Sequence, residues 1–240
     1  RNMQGRRIES VSLRRTVAYK GHSFQKKSGL IMMSQFGVHS DTPQLLLYPQ
    51  FEPLLGARGT VALRAKPKVV VFDLDGCLWD PEMYMLSWRG GAPFTPDGDA
   101  MLSQSGERVV LLGAARDILR QLRTTDDWSA TKVAISSRTD EPAWAAELLD
   151  KFRVDDMVLG DCFDAREITK ESKSSHFRRL KERYACDYEE MLFFDNEYGN
   201  CREISSLGVT VAFSPEGVTG DVWTEAVAAF PSESIVNDYY

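Results

Sequence analysis

The chain has 240 residues, of which 43% are hydrophobic and 27% are charged, and its formal net charge is -6. These proportions are typical of a folded globular domain, and no uninterrupted apolar run approaches the ~18 residues that a membrane span needs. They exclude a transmembrane protein, and the acidic charge argues against nucleic acid as the main partner, because phosphate contacts need a basic surface.

Basic side chains are concentrated at the start of the chain. Residues 1–68 hold 12 of the 29 lysines and arginines but only 3 of the 35 acidic residues. Residues 1–40 have the composition of an organellar transit peptide, and a basic tail that is never cleaved fits equally well. We therefore expect a basic, disordered extension over residues 1–67, a folded domain over 68–232 and a C-terminal tail over 233–240. The expected location is cytoplasmic, or organellar if a transit peptide is present.

From Lys68 onward, short apolar runs alternate with segments of helical spacing. A loop rich in glycine and proline follows the first run, and strands and helices then alternate to the end of the chain. The predicted strands are 68–72, 132–135, 157–159, 191–194 and 209–213, and the predicted helices are 113–123, 141–152, 172–184, 201–206 and 221–230. This alternation predicts an α/β fold with a doubly wound parallel sheet, in which ligands bind beyond the carboxyl ends of the strands.

Two carboxylates stand at the tip of the first predicted strand. Asp73 and Asp75 are separated by one residue, and two such charges at a buried strand end need compensation. A bound divalent cation would supply it and would leave one carboxylate available for nucleophilic attack. An EF-hand loop begins with the same spacing, but it needs glycine at its sixth position, where this chain has Leu78. A pair of loop acids that cap the next element is the alternative that stays open.

Polar side chains also follow three later elements. Ser137 and Arg138 come directly after the second predicted strand, where a hydroxyl and a guanidinium can hold phosphate oxygens. Lys173 stands at a predicted helix start, where the helix dipole disfavours a cation unless it serves an anion; a solvated surface lysine is the alternative. Asp195 and Asn196 end a later strand, and their oxygens suit a hard cation such as Mg²⁺.

In this order the motifs resemble those of the haloacid dehalogenase superfamily of phosphotransferases, and more closely those of the magnesium-dependent phosphatase-1 family. The resemblance covers about residues 68–230 of the chain. The features that carry it are the Asp73 and Asp75 pair, Leu78-Trp79, Pro93-Phe94, Ser137-Arg138-Thr139, the segment from Ser172 to Leu180, and Phe193-Phe194-Asp195-Asn196-Glu197. It implies a Rossmann-like sheet of the haloacid dehalogenase type.

The resemblance also implies a function. It indicates a Mg²⁺-dependent phosphatase that hydrolyses phosphate monoesters through an aspartyl-phosphate on Asp73, with Asp75 as general acid and base. Its partner is then a phosphorylated substrate, and neither nucleic acid nor a membrane is expected. The implied phosphate-binding residues are Ser137, Arg138 and Lys173, and the implied metal ligands are Asp73, Asp75, Asp195 and Asn196.

The spacing between motifs bears on substrate size. The gaps at residues 80–108 and 139–172 hold 29 and 34 residues, below the ~50 that an independently folded cap domain needs. We therefore expect a capless site whose entrance is shaped by the loop with Trp88, Pro93 and Phe94. Such a site admits phosphotyrosine on a protein and other aryl phosphates, and it also admits sugar phosphates such as the fructosamine phosphates that the resemblance implies.

Two other functions stay open at this stage. A phosphotransferase or mutase of the same fold would pass the phosphoryl group to an acceptor other than water. A catalytically weak phosphate-binding module is suggested by the basic tail and by Asn196, because the family usually has a second aspartate at that position. Two further residues are assigned no chemistry: His176 is predicted to have a packing or supporting role, and Cys77 has no basic neighbour in sequence that would lower its pKa.

Overall fold

The computed structural model describes residues 65–88 and 90–238, together with two short strands near the start of the chain. These strands are β1 (Phe24–Lys27) and β2 (Leu30–Met33), which pair antiparallel. No helix in the described part of the chain is long and apolar enough to cross a membrane.

The chain divides into two compact units, residues 1–58 and residues 59–240. The transit-peptide and basic-tail alternatives for residues 1–40, and the linker expected over 41–67, lie almost entirely outside the described residues. They therefore stay predictions.

Strands and helices alternate through the second unit, as the sequence pattern predicts. Its elements in chain order are β3 (Val69–Phe72), β4 (Trp79–Asp80), α1 (Met83–Leu86), β5 (Thr95–Asp97), β6 (Ala100–Leu102), β7 (Arg108–Leu111), α2 (Ala115–Thr124), β8 (Lys132–Ser137), α3 (Pro142–Lys151), β9 (Arg153–Val154), β10 (Met157–Val158), β11 (Ala165–Ile168), α4 (Lys173–Tyr184), β12 (Met191–Asp195), α5 (Tyr198–Ser205), β13 (Thr210–Phe213) and α6 (Gly220–Ala229).

Five parallel strands form the central sheet, in the order β11-β8-β3-β12-β13. The strand order reverses at β3, because the chain passes from β3 to β8 on one side and later returns to β12 on the other. In open parallel sheets, this reversal opens a crevice beyond the carboxyl ends of the strands. The predicted α/β fold with a doubly wound parallel sheet is confirmed.

Helices cover both faces of the sheet, since successive residues of a strand point to opposite sides. Val70 and Phe72 pack in the core beneath α2, α3 and α6. Val69 and Val71 pack in a second core beneath α4 and α5. The rings of Phe72 and Phe194 stack with their centroids 5.2 Å apart and so join β3 to β12. Each phenylalanine directly precedes an aspartate, Asp73 on one strand and Asp195 on the other. Asp73 and Asp195 therefore stand at the ends of two neighbouring strands whose side chains are fully buried.

One predicted strand lies elsewhere. The run at residues 157–159 forms β10, which pairs antiparallel with β9 and not with the central sheet. The strand beside β8 is β11, which the sequence analysis missed. It is an edge strand whose two middle residues, Arg166 and Glu167, are charged, and it therefore lacks the continuous apolar run that marked the others.

The prediction of a glycine- and proline-rich loop after the first strand is wrong in part. Most of it folds into a small antiparallel sheet, in the order β4-β7-β6-β5, and the short helix α1. A hairpin between β5 and β6 turns at Gly98, whose φ of +59° favours glycine. Strands of two to four residues are too short to show an alternating pattern in the sequence.

Candidate active site

A cleft of about 370 Å³ opens beyond the carboxyl ends of β3 and β8. This is where the strand order predicts a ligand site. Its lining residues are Asp73, Asp75, Glu82, Tyr84, Ser137, Arg138, Thr139, Asp140, Lys173, Glu197 and Asn200. The five residues predicted for catalysis and phosphate binding are all among them.

Lys173 lies at the base of the cleft between two carboxylates. Its Nζ is 2.7 Å from Asp73 Oδ1 and 3.0 Å from Asp195 Oδ2, and it donates a further hydrogen bond of 2.5 Å to the Ser136 carbonyl oxygen. The lysine side chain is 1% exposed, and those of Asp73 and Asp195 are 9% and 0% exposed. The ammonium group is therefore fixed by three acceptors and points at the oxygens of Asp73.

Charge pairing overcomes burial at this position. Burial by itself would lower the pKa of the Lys173 ammonium, but the carboxylates of Asp73 and Asp195 outweigh it and raise that pKa. Burial raises the pKa of Asp195, and the charge of Asp73 raises it further against the opposing effect of Lys173. Lys173 is also the first residue of α4, after the N-cap Ser172. The structure agrees with the prediction that this lysine serves an anion, and a solvated surface lysine is excluded.

Asp75 is held by the turn that follows β3. The indole Nε1 of Trp79 donates a 2.7 Å hydrogen bond to Asp75 Oδ1, and the backbone N–H of Gly76 donates to the Trp79 carbonyl oxygen. Burial raises the pKa of Asp75 to about 6, against hydrogen bonds from Thr139 and Trp79 that lower it. A carboxyl group that titrates near neutral pH suits a general acid and base.

His176 supports the wall behind Lys173. It is fully buried, with Nδ1 3.0 Å from Ser136 Oγ and Nε2 2.9 Å from Thr169 Oγ1. Burial and the charge of Lys173 lower the pKa of His176 to about 4, so the imidazole is neutral at physiological pH. It therefore links α4 to the end of β8, whose Ser136 carbonyl accepts from Lys173, and this agrees with the predicted supporting role.

The side-chain oxygens of Asp195 and Asn196 differ in their hydrogen bonding. Both carboxylate oxygens of Asp195 are occupied, since they accept from the Glu197 backbone N–H, from Asn200 and from Lys173. In contrast, Asn196 Oδ1 is buried and has no hydrogen-bond partner. The Asn196 amide also lies so close to Gly76 that a Cβ at Gly76 would be 2.3 Å from Nδ2. A buried acceptor without a donor is the feature that a bound cation would explain.

This donor set fits a hard cation only if neutral oxygens take part. In the described part of the chain, no group of three histidine, cysteine, aspartate or glutamate side chains is arranged to hold a metal ion. Asp73, the Asn196 amide oxygen and a backbone carbonyl at Asp75 are oxygen donors of the kind that Mg²⁺ takes together with water. Of the predicted ligands, Asp73, Asp75 and Asn196 therefore fit Mg²⁺, whereas Asp195 faces Lys173 and both of its carboxylate oxygens already accept hydrogen bonds. Asp73 and Asp75 line the cleft, and Asp195 and Asn196 do not.

The structure corrects the predicted entrance. Phe94 is fully buried against Trp144, with ring centroids 6.5 Å apart, and does not line the cleft. Trp88 is 90% exposed but lies outside the lining, and Tyr84 is the aromatic residue within it. The sequence analysis also missed Glu82 and Asn200, because neither stands at the end of a predicted strand. Cys77 is buried, and burial raises the pKa of its thiol, which agrees with the prediction that it is not a nucleophile.

A parallel sheet with carboxylates and a buried lysine at its strand ends is the arrangement that the resemblance to the haloacid dehalogenase superfamily implies, and comparisons with known proteins agree with that superfamily. The sequence model of the Acid Phosphatase family matches residues 65–233, so the chain belongs to that family, and the predicted class of enzyme, a phosphatase, is confirmed. Magnesium-dependent phosphatase 1 of Homo sapiens is 30% identical over 165 residues, which are 68% of this chain and 87% of the relative.

Two further proteins are similar to the chain. A haloacid dehalogenase-like hydrolase superfamily protein of Schizosaccharomyces pombe is 32% identical over 151 residues, which are 60% of this chain and 83% of that protein. The phosphatase-containing N-terminal part of a Bacteroides fragilis protein, solved in complex with Mg, matches 71% of this chain and 42% of that one at 17% identity and a TM-score of 0.49.

Proposed function

We propose that the chain hydrolyses phosphate monoesters by way of an aspartyl-phosphate on Asp73. The observation that carries the proposal is the buried contact of 2.7 Å between Lys173 Nζ and Asp73 Oδ1, at the base of a cleft that also contains Asp75. The ammonium orients the carboxylate and stabilises negative charge that develops beside it. Ser137 and Arg138, on the wall formed by β8 and the residues after it, bind the phosphoryl oxygens.

Hydrolysis then takes two displacements. In the first, an oxygen of Asp73 attacks phosphorus, the bond to the ester oxygen breaks, and protonated Asp75 donates its proton to that leaving oxygen. In the second, the Asp75 carboxylate takes a proton from water while the water oxygen attacks phosphorus. The Asp73 carboxylate leaves, and inorganic phosphate is released. The pKa of Asp75 near 6 allows it to serve in both directions.

Mg²⁺ is the cofactor we propose for this site. Asp73, the backbone carbonyl of Asp75 and the Asn196 amide oxygen would hold it, because Asn196 Oδ1 is a buried acceptor without a donor. When bound, the ion would neutralise charge on the phosphoryl oxygens. The name of the human relative, magnesium-dependent phosphatase 1, supports the assignment.

Aryl esters are the substrate class that we propose. Tyr84 lines the cleft and is 49% exposed, so its ring is available to stack on an aromatic leaving group. We therefore expect a higher kcat/KM for aryl phosphates and phosphotyrosine peptides than for phosphoserine peptides. Sugar phosphates, including fructosamine phosphates, offer no ring to stack and should bind more weakly.

The test is phosphate release from p-nitrophenyl phosphate, a phosphotyrosine peptide and a phosphoserine peptide, with and without Mg²⁺. Wild-type enzyme should turn over the first two in the presence of Mg²⁺, and Asp73→Asn should release no phosphate, since an amide is a poor nucleophile. Acid-quenched wild-type enzyme should carry phosphate that hydroxylamine removes, as an acyl phosphate does.

Asp161→Asn is the matched control, because Asp161 is exposed and does not line the cleft. It should retain wild-type rates and labelling. Wild-type rates in Asp73→Asn would refute the aspartyl-phosphate, and a preference for phosphoserine would refute the substrate class.

A further inference from the structure

An apolar surface stands beside the mouth of the cleft. Among the described residues, the exposed large hydrophobic side chains are Tyr84, Met85 and Trp88, which are 49%, 45% and 90% exposed. They lie within the five-residue span 84–88, which covers the end of α1 and the two residues directly after it. Met83 and Leu86 of the same helix are fully buried. The segment is therefore apolar on its outer face as well as its inner one, which a surface helix of a monomeric protein seldom is.

This surface continues from the wall of the cleft. Tyr84 lines the cleft, whereas Met85 and Trp88 do not. The hydroxyl of Ser87 donates a 3.3 Å hydrogen bond to Glu141 Oε1, at the start of α3, and so ties the end of α1 to the element that follows the phosphate-binding wall. We expect a small ester held in the cleft to contact Tyr84 and not Met85 or Trp88, because only Tyr84 lines the cleft. A polypeptide, which extends by about 3.3 Å per residue on either side of the phosphorylated residue, reaches farther.

The charges that line the cleft limit which residues can stand next to the phosphorylated residue of a polypeptide substrate. The lining holds two cations, Arg138 and Lys173, and five carboxylates, those of Asp73, Asp75, Glu82, Asp140 and Glu197. Lys173 pairs with Asp73 and Lys170 pairs with Asp140, which leaves Asp75, Glu82 and Glu197 as the carboxylates that a substrate would meet. Acidic side chains next to the phosphorylated residue would be repelled by this field. The carboxylates of the lining therefore disfavour acidic neighbours, and the apolar surface of Met85 and Trp88 favours an apolar one.

We propose that Met85 and Trp88 form a docking surface for an apolar side chain next to the phosphorylated residue of a polypeptide substrate. The proposal rests on the phosphatase function proposed above. Burying about half of a leucine side chain against this surface corresponds to roughly a tenfold gain in kcat/KM. The surface thus adds specificity that the cleft alone does not supply.

The experiment compares three substrates on the full chain and on the Met85→Ser/Trp88→Ser variant. The substrates are p-nitrophenyl phosphate and two short phosphotyrosine peptides, one with leucine and one with serine on both sides of the phosphotyrosine. Wild-type enzyme should prefer the leucine peptide by about tenfold. The variant should treat the two peptides alike and keep the wild-type rate on p-nitrophenyl phosphate, which does not reach the surface. The single variant Trp88→Gln provides a second, milder change that should reduce the preference in the same direction.

Four outcomes would overturn the proposal. They are no preference in the wild type, a preference that persists in both variants, an equal loss on all three substrates, and a dimer at assay concentration that Trp88→Gln dissociates. The last would assign the surface to a second copy of the chain. Failure of the proposed phosphatase function is distinguishable, because wild-type enzyme would then release no phosphate even from p-nitrophenyl phosphate.

Discussion

Replacing Lys173 by methionine tests how the buried charges at the base of the cleft are balanced. Lys173 Nζ is 2.7 Å from Asp73 and 3.0 Å from Asp195, and its side chain is 1% exposed. The substitution keeps the length of the side chain but leaves two buried carboxylates facing each other. Breaking a buried ion pair by removing one partner costs about 3–5 kcal/mol. We expect the free energy of unfolding to fall by about 4 kcal/mol at neutral pH, which changes the folding equilibrium constant by roughly a thousandfold.

The loss of stability in Lys173→Met should depend on pH, and the ionisation of the two carboxylates decides whether it grows or shrinks as the pH rises. Burial and the charge of Asp73 already raise the pKa of Asp195 in the folded state, and removing Lys173 takes away the charge that opposes them. A folded-state pKa above the unfolded value destabilises the ionised form only. The penalty is therefore small below the ordinary carboxyl pKa of about 4, grows as the pH rises, and reaches its full size above the raised pKa.

The assay is urea unfolding, followed by far-UV circular dichroism in a chelating buffer near pH 5 and near pH 8. Lys181→Met is the matched control, because Lys181 lies on the same helix and pairs with the exposed Asp187. It should leave the unfolding midpoint almost unchanged at either pH. Adding Asp195→Asn to Lys173→Met should recover part of the lost stability. A loss in Lys173→Met no larger than in Lys181→Met, or one independent of pH, would refute the reasoning.

Three smaller predictions concern the turn after β3 and the Asn196 amide that lies beside Gly76. Trp79→Phe removes a hydrogen bond that lowers the pKa of Asp75, so the pH at which kcat/KM falls on the alkaline side should rise. An unchanged pH profile would show that Asp75 is not the group whose titration causes that fall. Gly76→Ala meets a φ of +70° and the Asn196 amide, and should lose about 1–3 kcal/mol in urea unfolding. Asn196→Asp should preserve or tighten the Mg²⁺ dependence of turnover, while Asn196→Ala should raise the Mg²⁺ concentration that gives the half-maximal rate. Mg²⁺ titrations identical to wild type for both variants would assign the metal contact of this motif to Asp195.

Much of the fold and of the site was predictable from local pattern. The continuous apolar runs within β3, β8, β12 and β13 mark strands buried on both faces, because charged residues stand only at the ends of these strands. The polar residues that end three of these runs, at Asp73, Ser137 and Asp195, share one edge of the sheet by the geometry of parallel strands. Neither inference needs knowledge of a long-range contact.

Other features were decided by tertiary structure alone. The sequence places Lys173 at a helix start, but only the fold brings it within 3.0 Å of Asp195 and makes it a buried ion pair. Asp195 and Asn196 are adjacent and both offer oxygen, yet one faces Lys173 and the other is left without a donor. Phe94 and Trp88 are both aromatic residues of one insertion, and packing against Trp144 buries the first while the second stays exposed. These outcomes depend on contacts between residues far apart in the chain, which local composition and periodicity do not encode.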